Sequence, residues 1–191
     1  LDSFDGEFYA TYGMTETISH IALQRLNGEG KQNYFETLEN IEISIDHRGC
    51  LVVQASNLNS EKIITNDIIE VINDKKFRWL GRWDNVINSG GVKIVPENIE
   101  LIIQEIFDSL ELTNRFFVAG LPDEKLTQRV ALIVEGLLFT KIIKDLVEEQ
   151  LKAKINTFER PKEFIFIHQF IQTNGKIKRK DTLDLIPIRP Q

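Results

Sequence analysis

Hydrophobic residues alternate with polar ones through much of the N-terminal part of the chain. In the segment NIEISID, Ile41, Ile43 and Ile45 are each followed by a polar residue, which is the period-2 pattern of a half-buried strand. A turn at DHRG leads into CLVVQA as the return strand, and DIIEVI and FRWLGR flank NDKK as a second hairpin. No helical pattern longer than two turns occurs before Gly81. This part of the chain is therefore predicted to be mainly β.

The pattern changes after Gly81, where a hairpin is followed by a helix. NVINSGGVKIV predicts a short hairpin that turns at Ser89, Gly90 and Gly91, because paired glycines supply the positive φ that a tight turn needs. Pro96 then stands at the first position of a helix, where proline is tolerated. The helix is predicted to bury one face, which holds Ile99, Ile102, Ile103, Ile106 and Phe107.

The remainder of the chain predicts two strands, a second helix, a third strand and a short terminal helix. The strands are NRFFVAGLPD, QRVALIVEG and EFIFIHQFI, and the terminal helix is RKDTLDLI. The second helix, TKIIKDLVEEQLKAKI, is predicted to direct Ile142, Ile143, Leu146 and Leu151 inward. The predicted fold class is α+β, with a β-rich region followed by a small α+β domain that has a three-stranded sheet, flanking helices and a β-hairpin.

Composition is that of an ordinary globular protein, with 191 residues, 42% hydrophobic and 27% charged. The formal net charge of −6 argues against a general nucleic-acid-binding protein, which usually carries a basic surface. No run of about 18 apolar residues predicts a membrane span, and no signal-peptide pattern is found. Cys50 is the single cysteine, so no internal disulfide can form. It is predicted to be a buried apolar residue, and a reducing, cytoplasmic location is expected.

The first candidate site is the segment YGMTETISH. A strand is predicted to end at Tyr12, Gly13 allows a sharp turn, and Thr15 and Glu16 then lie on a loop. A hydroxyl beside a carboxylate suits a phosphate-plus-magnesium contact, because Mg²⁺ takes oxygen ligands and usually combines one or two carboxylates with substrate phosphates. The alternative is a turn with a polar surface.

The second candidate site combines Asp67, in TND, with Arg82, in GRWDN. A carboxylate is the usual receptor for a ribose diol, since it accepts two hydroxyl hydrogen bonds. An arginine could pair with hydroxyls or with phosphate. The alternative is a hairpin aspartate and a surface arginine.

The third candidate site is TNGKIKRK, in which Lys176 follows Gly175 and is predicted to lie at a loop tip. A lysine in that position can reach into a neighbouring site as a mobile point charge. The alternative is a solvated basic loop, and no P-loop pattern GxxxxGK[ST] is present. The three histidines are far apart in the sequence, so no zinc triad is predicted.

The order and spacing of these motifs resemble the last third of the adenylate-forming enzymes, which include acyl-CoA synthetases, the adenylation domains of peptide synthetases and luciferases. The resemblance is carried by YGMTE, the aspartate of TND, GRWDNVINSGGVKIVPENIE, RPKEF and TNGKIKRK, and it covers essentially the whole chain. Much of the superfamily has a lysine where this chain has Asn88. That feature and the following SGG are similar to the o-succinylbenzoate–CoA ligase subfamily of menaquinone biosynthesis.

The resemblance implies a two-step reaction with ATP, Mg²⁺ and coenzyme A. A carboxylate attacks the α-phosphate of Mg·ATP to give an acyl-adenylate and pyrophosphate, and the thiol of coenzyme A then displaces AMP. By the same resemblance, the block of Tyr12 and Gly13 lies against the adenine. Thr15 contacts phosphate, Glu16 holds Mg²⁺, and Asp67 takes the ribose hydroxyls.

The resemblance also assigns residues of the later blocks. It implies that Arg82 assists at the ribose, that Asp84 is the hinge about which a small domain rotates, and that Gly91 lies on a loop that approaches the site for thioester formation. Lys176 falls on the lysine that bridges the carboxylate and the α-phosphate during adenylation. The implied domains are a β-rich part of the large domain (1–81), the hinge (82–84) and the complete small domain (85–191).

The superfamily's phosphate loop and most of its acyl pocket precede the YGMTE block, and the chain does not begin with methionine. We therefore expect a piece of a longer ligase that is inactive alone. FYATY is expected to belong to a parallel sheet, so its exposed edge would favour dimerisation or local disorder of residues 1–30. The expected partners are small-molecule substrates. The alternatives are another aryl or fatty acyl-CoA synthetase, an adenylation domain that loads a carrier protein, or a non-enzymatic binding module.

Overall fold

The computed structural model describes residues 5–55 and 62–187, and the chain divides into two compact units, Leu1–Asp84 and Asn85–Gln191. The first unit contains a seven-stranded sheet, and the second contains a five-stranded sheet with α-helices. The predicted α+β class is thus confirmed. In the described ranges, none of the helices has the length and hydropathy needed to cross a membrane.

The first unit is a sheet in which every pair of neighbouring strands is antiparallel. The strands are β1 (Tyr9–Gly13), β2 (His20–Arg25), β3 (Phe35–Thr37), β4 (Ile41–Ile45), β5 (Cys50–Ala55), β6 (Ile63–Asn73) and β7 (Lys76–Arg82). Their spatial order is β1-β2-β3-β7-β6-β5-β4. The structure contains both hairpins predicted from the alternating pattern, β4–β5 and β6–β7.

The sequence predicts that FYATY belongs to a parallel sheet, and for strand β1 this prediction is wrong. A 3₁₀ turn at Thr15–Thr17 reverses the chain, so β1 pairs antiparallel with β2 and forms one edge of the sheet. Residues 9–13 and 20–25 therefore form a hairpin whose register shifts between Tyr12 and Gly13, and dimerisation through this edge stays a prediction.

One face of the first sheet carries the unit's apolar core. Phe77 is fully buried there, with Leu51 and Val53 beside it, and its ring stacks on Phe35 with the ring centres 5.6 Å apart. Cys50 is also fully buried, which confirms its predicted apolar role. Aliphatic residues and Phe77 thus form the interior of this unit, and the partly buried rings of Tyr12 and Phe35 pack against it.

The second unit is built around one central strand. Its elements are β8 (Ile87–Ser89), β9 (Val92–Ile94), α1 (Pro96–Ser109), β10 (Phe116–Asp123), β11 (Thr127–Glu135), α2 (Lys141–Lys154), β12 (Glu163–Ile167), β13 (Gln172–Thr173), β14 (Lys176–Ile177) and α3 (Arg179–Leu183). Strand β11 pairs antiparallel with β10 and parallel with β12, and Thr127 joins it to Ser89 of the β8–β9 hairpin. The predicted three strands and the predicted hairpin therefore form one sheet.

The two faces of this sheet carry separate apolar cores, because alternate residues of β11 point to opposite sides. Val130, Leu132 and Val134 belong to the core that α1 and α2 cover. Ala131 and Ile133 belong to the second core, which also includes Phe170, Ile177 and Leu183. Helix α1 buries the predicted residues Ile99, Ile103, Ile106 and Phe107, with Ile102 partly buried.

The predicted inner face of α2 is partly wrong. Ile142 is 73% exposed and Leu146 is 42% exposed, whereas Val147 and Leu151 are buried. Ile143 is partly buried against the same core. Residues 143, 147 and 151 recur every four positions and so form one stripe along the helix. Ile142 and Leu146 each precede a member of that stripe by one position, which turns them away from the sheet by about 100°.

Candidate functional site

Asp67 is the centre of a polar cluster in the first unit. It lies on β6 directly opposite Arg82 of β7. Its carboxylate accepts a 2.6 Å hydrogen bond from the Tyr12 hydroxyl and a 3.2 Å hydrogen bond from Trp79 Nε1. Arg82 Nη1 lies 3.5 Å from the same carboxylate, whose side chain is 14% exposed. Residues that are 55 and 15 positions away in sequence thus meet at one aspartate.

Tyr12 is held in this cluster by its ring as well as by its hydroxyl. The ring packs against Phe35 and Phe77, with centre-to-centre distances of 5.6 and 5.3 Å. Burial, and then the hydrogen bond to Asp67, raise the pKa of Tyr12 far above its ordinary value. Tyr12 is therefore a neutral donor at any physiological pH, and it fixes one oxygen of Asp67.

Arg82 links Asp67 to Asp84, the last residue of the first unit. Arg82 Nη2 lies 2.7 Å from Asp84 Oδ2, and Asn66 Nδ2 donates to Asp84 Oδ1 at 3.0 Å. The hydrogen bond with Asp84 raises the pKa of Arg82 further above its ordinary value. The side chains of Arg82 and Asp84 are 46% and 51% exposed. Both are therefore accessible to a ligand.

Sequence reasoning missed Arg48, which braces the strand that carries Asp67. Arg48 donates to the Asn66 side chain at 2.8 Å and to the Thr65 carbonyl at 3.0 Å. Its Nε lies 2.8 Å from Asp46 Oδ2. Arg48 lies in the β4–β5 turn, and only the three-dimensional pairing of β5 with β6 brings it to Asn66, so no sequence motif indicates the contact.

Gly13, Thr15 and Glu16 follow directly after Tyr12. A Cβ on Gly13 would lie 2.7 Å from the Cα of His20 and 2.7 Å from the Ser19 carbonyl oxygen, so the hairpin can close this tightly only with glycine there. Thr15 and Glu16 are exposed on the 3₁₀ turn. Across residues 5–55 and 62–187, neither of these two side chains has a hydrogen bond or an ion pair assigned to it.

Thr17, rather than Thr15, shapes the turn that follows β1. Its one hydroxyl proton lies between the carbonyls of Met14 and Ser19, which are 2.9 and 2.7 Å from Oγ1, and Oγ1 accepts from the Met14 amide. Thr15 and Glu16 are left facing solvent as a hydroxyl and a carboxylate on consecutive positions. One carboxylate fits the low number of protein ligands that Mg²⁺ usually takes beside phosphates. The described residues contain no group of three or more His, Cys, Asp or Glu side chains that could hold a metal by themselves.

The second unit carries the other two predicted residues. Gly91 lies in the β8–β9 turn with φ of 83°, and a Cβ there would meet no atom within 4 Å. The backbone angle, not crowding, therefore requires glycine at this position. Gly90 also has a positive φ of 58°, which confirms the predicted turn.

Lys176 is one position beyond the predicted loop tip. The turn is made by Asn174 and Gly175, and Lys176 begins β14, opposite Thr173. Its side chain is exposed, and within the described part of the chain no ion pair is assigned to it. Two other cations of this segment have side-chain ion pairs. Lys178 lies 3.2 Å from Asp181, and Arg179 begins α3.

The structure thus brings Tyr12, Asp67, Arg82 and Asp84 into one connected cluster. Gly13, Thr15 and Glu16 lie on the turn that leaves this cluster, and Gly91 and Lys176 lie on two turns of the second unit.

No family model matches the chain. The chain is 27% identical over 190 residues to the 2-succinylbenzoate–CoA ligase of Lactococcus lactis subsp. lactis, a match that covers 91% of this chain and 40% of that protein. It is 28% identical over 131 residues to the 3-oxocholest-4-en-26-oate–CoA ligase of Rhodococcus rhodochrous, covering 66% of this chain and 22% of that protein. The chain therefore spans well under half the length of the curated relatives it matches.

Solved structures give the same picture. The chain is 37% identical to an AMP-forming acyl-CoA synthetase/AMP-acid ligase II-like protein from Dyadobacter fermentans, with a TM-score of 0.52, and the match covers 96% of this chain and 52% of that one. The o-succinylbenzoate CoA synthetase of Bacillus subtilis, solved with its acyl-adenylate intermediate, shares the fold with a TM-score of 0.70 at 20% identity, over 90% of this chain and 40% of that one. The resemblance read from the sequence is confirmed: the homologues and structural neighbours of this chain are AMP-forming acyl-CoA ligases of the adenylate-forming superfamily, 2-succinylbenzoate–CoA ligases among them.

Proposed function

We propose that this chain is the C-terminal part of an ATP-dependent acid–CoA ligase, which joins a carboxylic acid to coenzyme A through an acyl-adenylate. The observation that carries the proposal is the cluster at Asp67, because residues from two other sequence motifs, Tyr12 and Arg82, converge on its carboxylate. In this proposal residues 1–81 belong to the large domain, residues 82–84 are the hinge with Asp84 at its centre, and residues 85–191 are the small domain.

Asp67 binds the ribose of ATP in this proposal. A carboxylate offers about four lone-pair directions. Tyr12 and Trp79 occupy one direction on each oxygen. Arg82 Nη1 lies 3.5 Å from Oδ1, so one direction, on Oδ2, stays open for a first hydroxyl of a ribose diol. The second hydroxyl would replace Arg82 on Oδ1, and the partly exposed Arg82 would then assist at the ribose. Tyr12, which is fixed by its ring contacts and its hydrogen bond, supplies the adjacent surface for the adenine, and Gly13 lets the chain turn away from it.

Thr15 and Glu16 serve the phosphates. The Thr15 hydroxyl can donate to a phosphate oxygen, and the Glu16 carboxylate can supply one oxygen ligand to Mg²⁺, as the exposed positions of both side chains allow. When bound, Mg²⁺ would neutralise part of the triphosphate charge. The chain's own contribution is to hold a hydroxyl and a carboxylate on adjacent positions at the end of β1.

Lys176 acts in the first half-reaction. A carboxylate oxygen of the acid attacks the α-phosphorus of ATP, the bond to pyrophosphate breaks, and the acyl-adenylate forms. Both reactants are anions, so a cation between them offsets their repulsion. It stabilises the charge of the transition state by about 3 kcal/mol. An exposed lysine free of ion pairs in the described structure suits that role.

Gly91 acts in the second half-reaction. The thiol of coenzyme A attacks the acyl carbonyl, the bond to AMP breaks, and the thioester forms. The β8–β9 turn presents backbone without a side chain at Gly91, which suits a close approach to the pantetheine arm. Because Lys176 and Gly91 serve different steps, rotation of the small domain at Asp84 would bring each to the same site in turn, a closure motion of the kind that gates many enzymes.

The acid is proposed to be o-succinylbenzoate. The Lactococcus 2-succinylbenzoate–CoA ligase matches 91% of this chain, and the Rhodococcus steroid-acid ligase matches 66%. The second candidate is another aryl or fatty acid, since an indoleacetate–CoA ligase of Aromatoleum aromaticum is 30% identical over 112 residues. An adenylation domain that loads a carrier protein is the remaining alternative.

The two half-reactions of the full-length ligase test the proposal. Lys176→Ala should nearly abolish acyl-adenylate formation, measured as pyrophosphate release, and should spare thioester formation from supplied acyl-adenylate. Lys178→Ala is the matched control, because it removes a cation two positions away whose ion pair is with Asp181. Equal losses in both half-reactions for Lys176→Ala would contradict the assignment. The present chain alone should bind ATP no more tightly than millimolar, and micromolar binding would contradict the assignment to a partial ligase.

Substrate choice is tested separately. The full-length ligase should use o-succinylbenzoate with a higher kcat/KM than simple benzoates or fatty acids. Preference for one of those acids would replace the first candidate by the second and leave the ligase chemistry intact. Transfer to a carrier protein but not to free coenzyme A would favour the third.

A further inference from the structure

The hairpin that carries Lys176 is too short to be stable by itself. Strands β13 and β14 are two residues each and pair Gln172 with Ile177 and Thr173 with Lys176. One further backbone hydrogen bond, from the Lys178 amide to the Ile171 carbonyl at 2.8 Å, closes the base of the hairpin. An isolated two-stranded hairpin is at best marginally stable in water, even when it is longer than this one. The position of Lys176 must therefore come from the contacts at the two roots of the hairpin.

The N-terminal root is held through Glu135 and Arg115. The backbone N–H of Phe170 donates to Glu135 Oε1 at 2.7 Å. Arg115 donates to both oxygens of Glu135, at 2.5 and 2.6 Å, and its third nitrogen donates to Gln172 Oε1 at 2.7 Å. Arg115 thus ties the first residue of β13 to the central strand β11.

The C-terminal root is held through Arg179 and Glu100. Both terminal nitrogens of Arg179 donate to the two oxygens of Glu100 at 2.8 Å, which is the bidentate geometry that arginine makes best. Glu100 Oε1 also accepts the backbone N–H of Val118 at 2.8 Å. Arg179, the first residue of α3 and two positions after the hairpin, therefore ties this end to α1 and to β10. Its partner is 79 positions away in sequence.

Both roots meet at a single ring on β10. The Phe170 ring packs edge-on against Phe117, with the centres 5.2 Å apart, and the Arg179 guanidinium lies 5.5 Å from the centre of the Phe117 ring. Phe117 and Phe170 are buried. The two ion pairs and this aromatic contact surround the hairpin base. Asn174 and Gly175 in its turn and Lys176 at the start of β14 are exposed.

We propose that Arg115 and Arg179 are positioning residues for Lys176: the two ion pairs fix the base of the β13–β14 hairpin so that the lysine is presented in one geometry. This inference rests on the proposed role of Lys176 in acyl-adenylate formation. A bidentate arginine–carboxylate pair defines both distance and direction, whereas a lysine would define distance alone. Two such pairs at opposite ends of a short segment restrict both its translation and its rotation.

The first experiment uses the present chain and does not depend on any enzyme activity. Amide hydrogen exchange at Phe170 and Lys178 should be about tenfold faster or more in Arg115→Gln and Arg179→Gln, because each variant removes hydrogen bonds to a charged carboxylate. Arg129→Gln is the matched control. Arg129 pairs with Glu163 at 2.6 Å in the same unit and makes no assigned contact with residues 170–179. Unchanged exchange in both test variants would overturn the proposal.

The second experiment uses the full-length ligase and separates positioning from general stability. Arg179→Gln should slow acyl-adenylate formation by about 100-fold, the cost of a misplacement near 1 Å, and should leave thioester formation from supplied acyl-adenylate within about threefold. Arg179→Lys should recover only part of the loss, because lysine keeps the charge but loses the bidentate geometry. Arg129→Gln should change neither step.

The outcomes of the two experiments can be told apart. Equal losses in both half-reactions, or an adenylation rate that is unchanged although the hairpin exchanges faster, would overturn the positioning role. If Lys176→Ala itself spares adenylation, the proposed function fails. The exchange data on the chain would then still decide whether the ion pairs hold the hairpin.

Discussion

Replacing Tyr12 by phenylalanine isolates the hydrogen bond at the centre of the Asp67 cluster. The ring contacts with Phe35 and Phe77 are kept, so only the 2.6 Å bond to the carboxylate is lost. A hydrogen bond to a charged group contributes about 1.5–3 kcal/mol. Asp67 keeps its bond from Trp79, so the loss should fall near the lower end, about 1.5 kcal/mol. With a typical urea dependence of about 1–3 kcal/mol per molar, the midpoint should fall by about 0.5–1.5 M.

Tryptophan fluorescence is a selective probe for this experiment. The chain has two tryptophans, Trp79 and Trp83, and both belong to the first unit, so urea unfolding followed by their emission reports that unit alone. Tyr9→Phe is the matched control. Tyr9 also donates to a carboxylate, that of Glu7 at 2.8 Å, but it is exposed and should affect the midpoint much less. Equal shifts of the midpoint for the two variants would refute the reasoning that the bond between Tyr12 and Asp67 stabilises the unit more than the exposed bond between Tyr9 and Glu7.

Tyr12→Phe also tests how the stability of the first unit depends on pH. The pKa of Tyr12 is raised in the folded state, so the folded chain retains a proton that the unfolded chain loses above about pH 10. Stability from this group is therefore fully present below pH 10 and declines as the pH rises further. Tyr12→Phe should remove that part of the decline. An identical alkaline profile for wild type and variant would show that Tyr12 titrates normally.

Three further predictions concern stability and reactivity. Gly13→Ala should lower the free energy of unfolding by about 1–3 kcal/mol, because the added Cβ would meet backbone atoms that cannot move aside; urea unfolding followed by tryptophan fluorescence tests this. Gly91→Asn should lower it by less, because asparagine tolerates positive φ and a Cβ at this position meets no atom within 4 Å; unfolding followed by circular dichroism tests this. Cys50 is fully buried and burial raises the pKa of its thiol, so a thiol reagent should label it only after unfolding, and rapid labelling of the folded chain would disprove its predicted inertness. The hydrogen bond from Arg115 holds the pKa of Glu135 below its ordinary value, so the stability that this carboxylate contributes is present above about pH 4 and is lost as the pH falls through the lowered pKa. Glu135→Gln should therefore make the free energy of unfolding, measured by circular dichroism, depend less on pH in acid. An unchanged dependence on pH would contradict this.

The parts of the fold that short-range patterns determine were predictable from the sequence. The β4–β5 and β6–β7 hairpins, the glycine turn at Gly90 and Gly91, and the buried face of α1 all depend on residues within a few positions of one another. The inner face of α2 was predicted less well. Ile142 and Leu146 are apolar, and periodicity alone could not tell them from the stripe that contacts the sheet.

For the candidate site, the sequence indicated single residues but not the long-range contacts between them. The sequence indicated Tyr12 in one candidate site and Asp67 with Arg82 in another, and the structure shows that all three meet at the Asp67 carboxylate. The contacts of Arg48 and Arg179 could not be predicted, because each joins residues that only the pairing of distant strands or the packing of a helix brings together. Long-range pairing depends on the whole chain, and no local pattern encodes it.

The parallel pairing of β11 with β12 has a consequence for folding kinetics. Strands β10 and β11 are joined by a tight turn and can pair early, but Ala131 finds Glu163 only after α2 has crossed over the sheet. Pairing across a long loop is slow, because the loss of chain entropy comes before the contacts that compensate for it. Ile165 and Ile167 of β12 line the same core as Ile177. We therefore expect the hairpin that carries Lys176 to reach its native place in the final phase of folding, after β12 has joined the sheet.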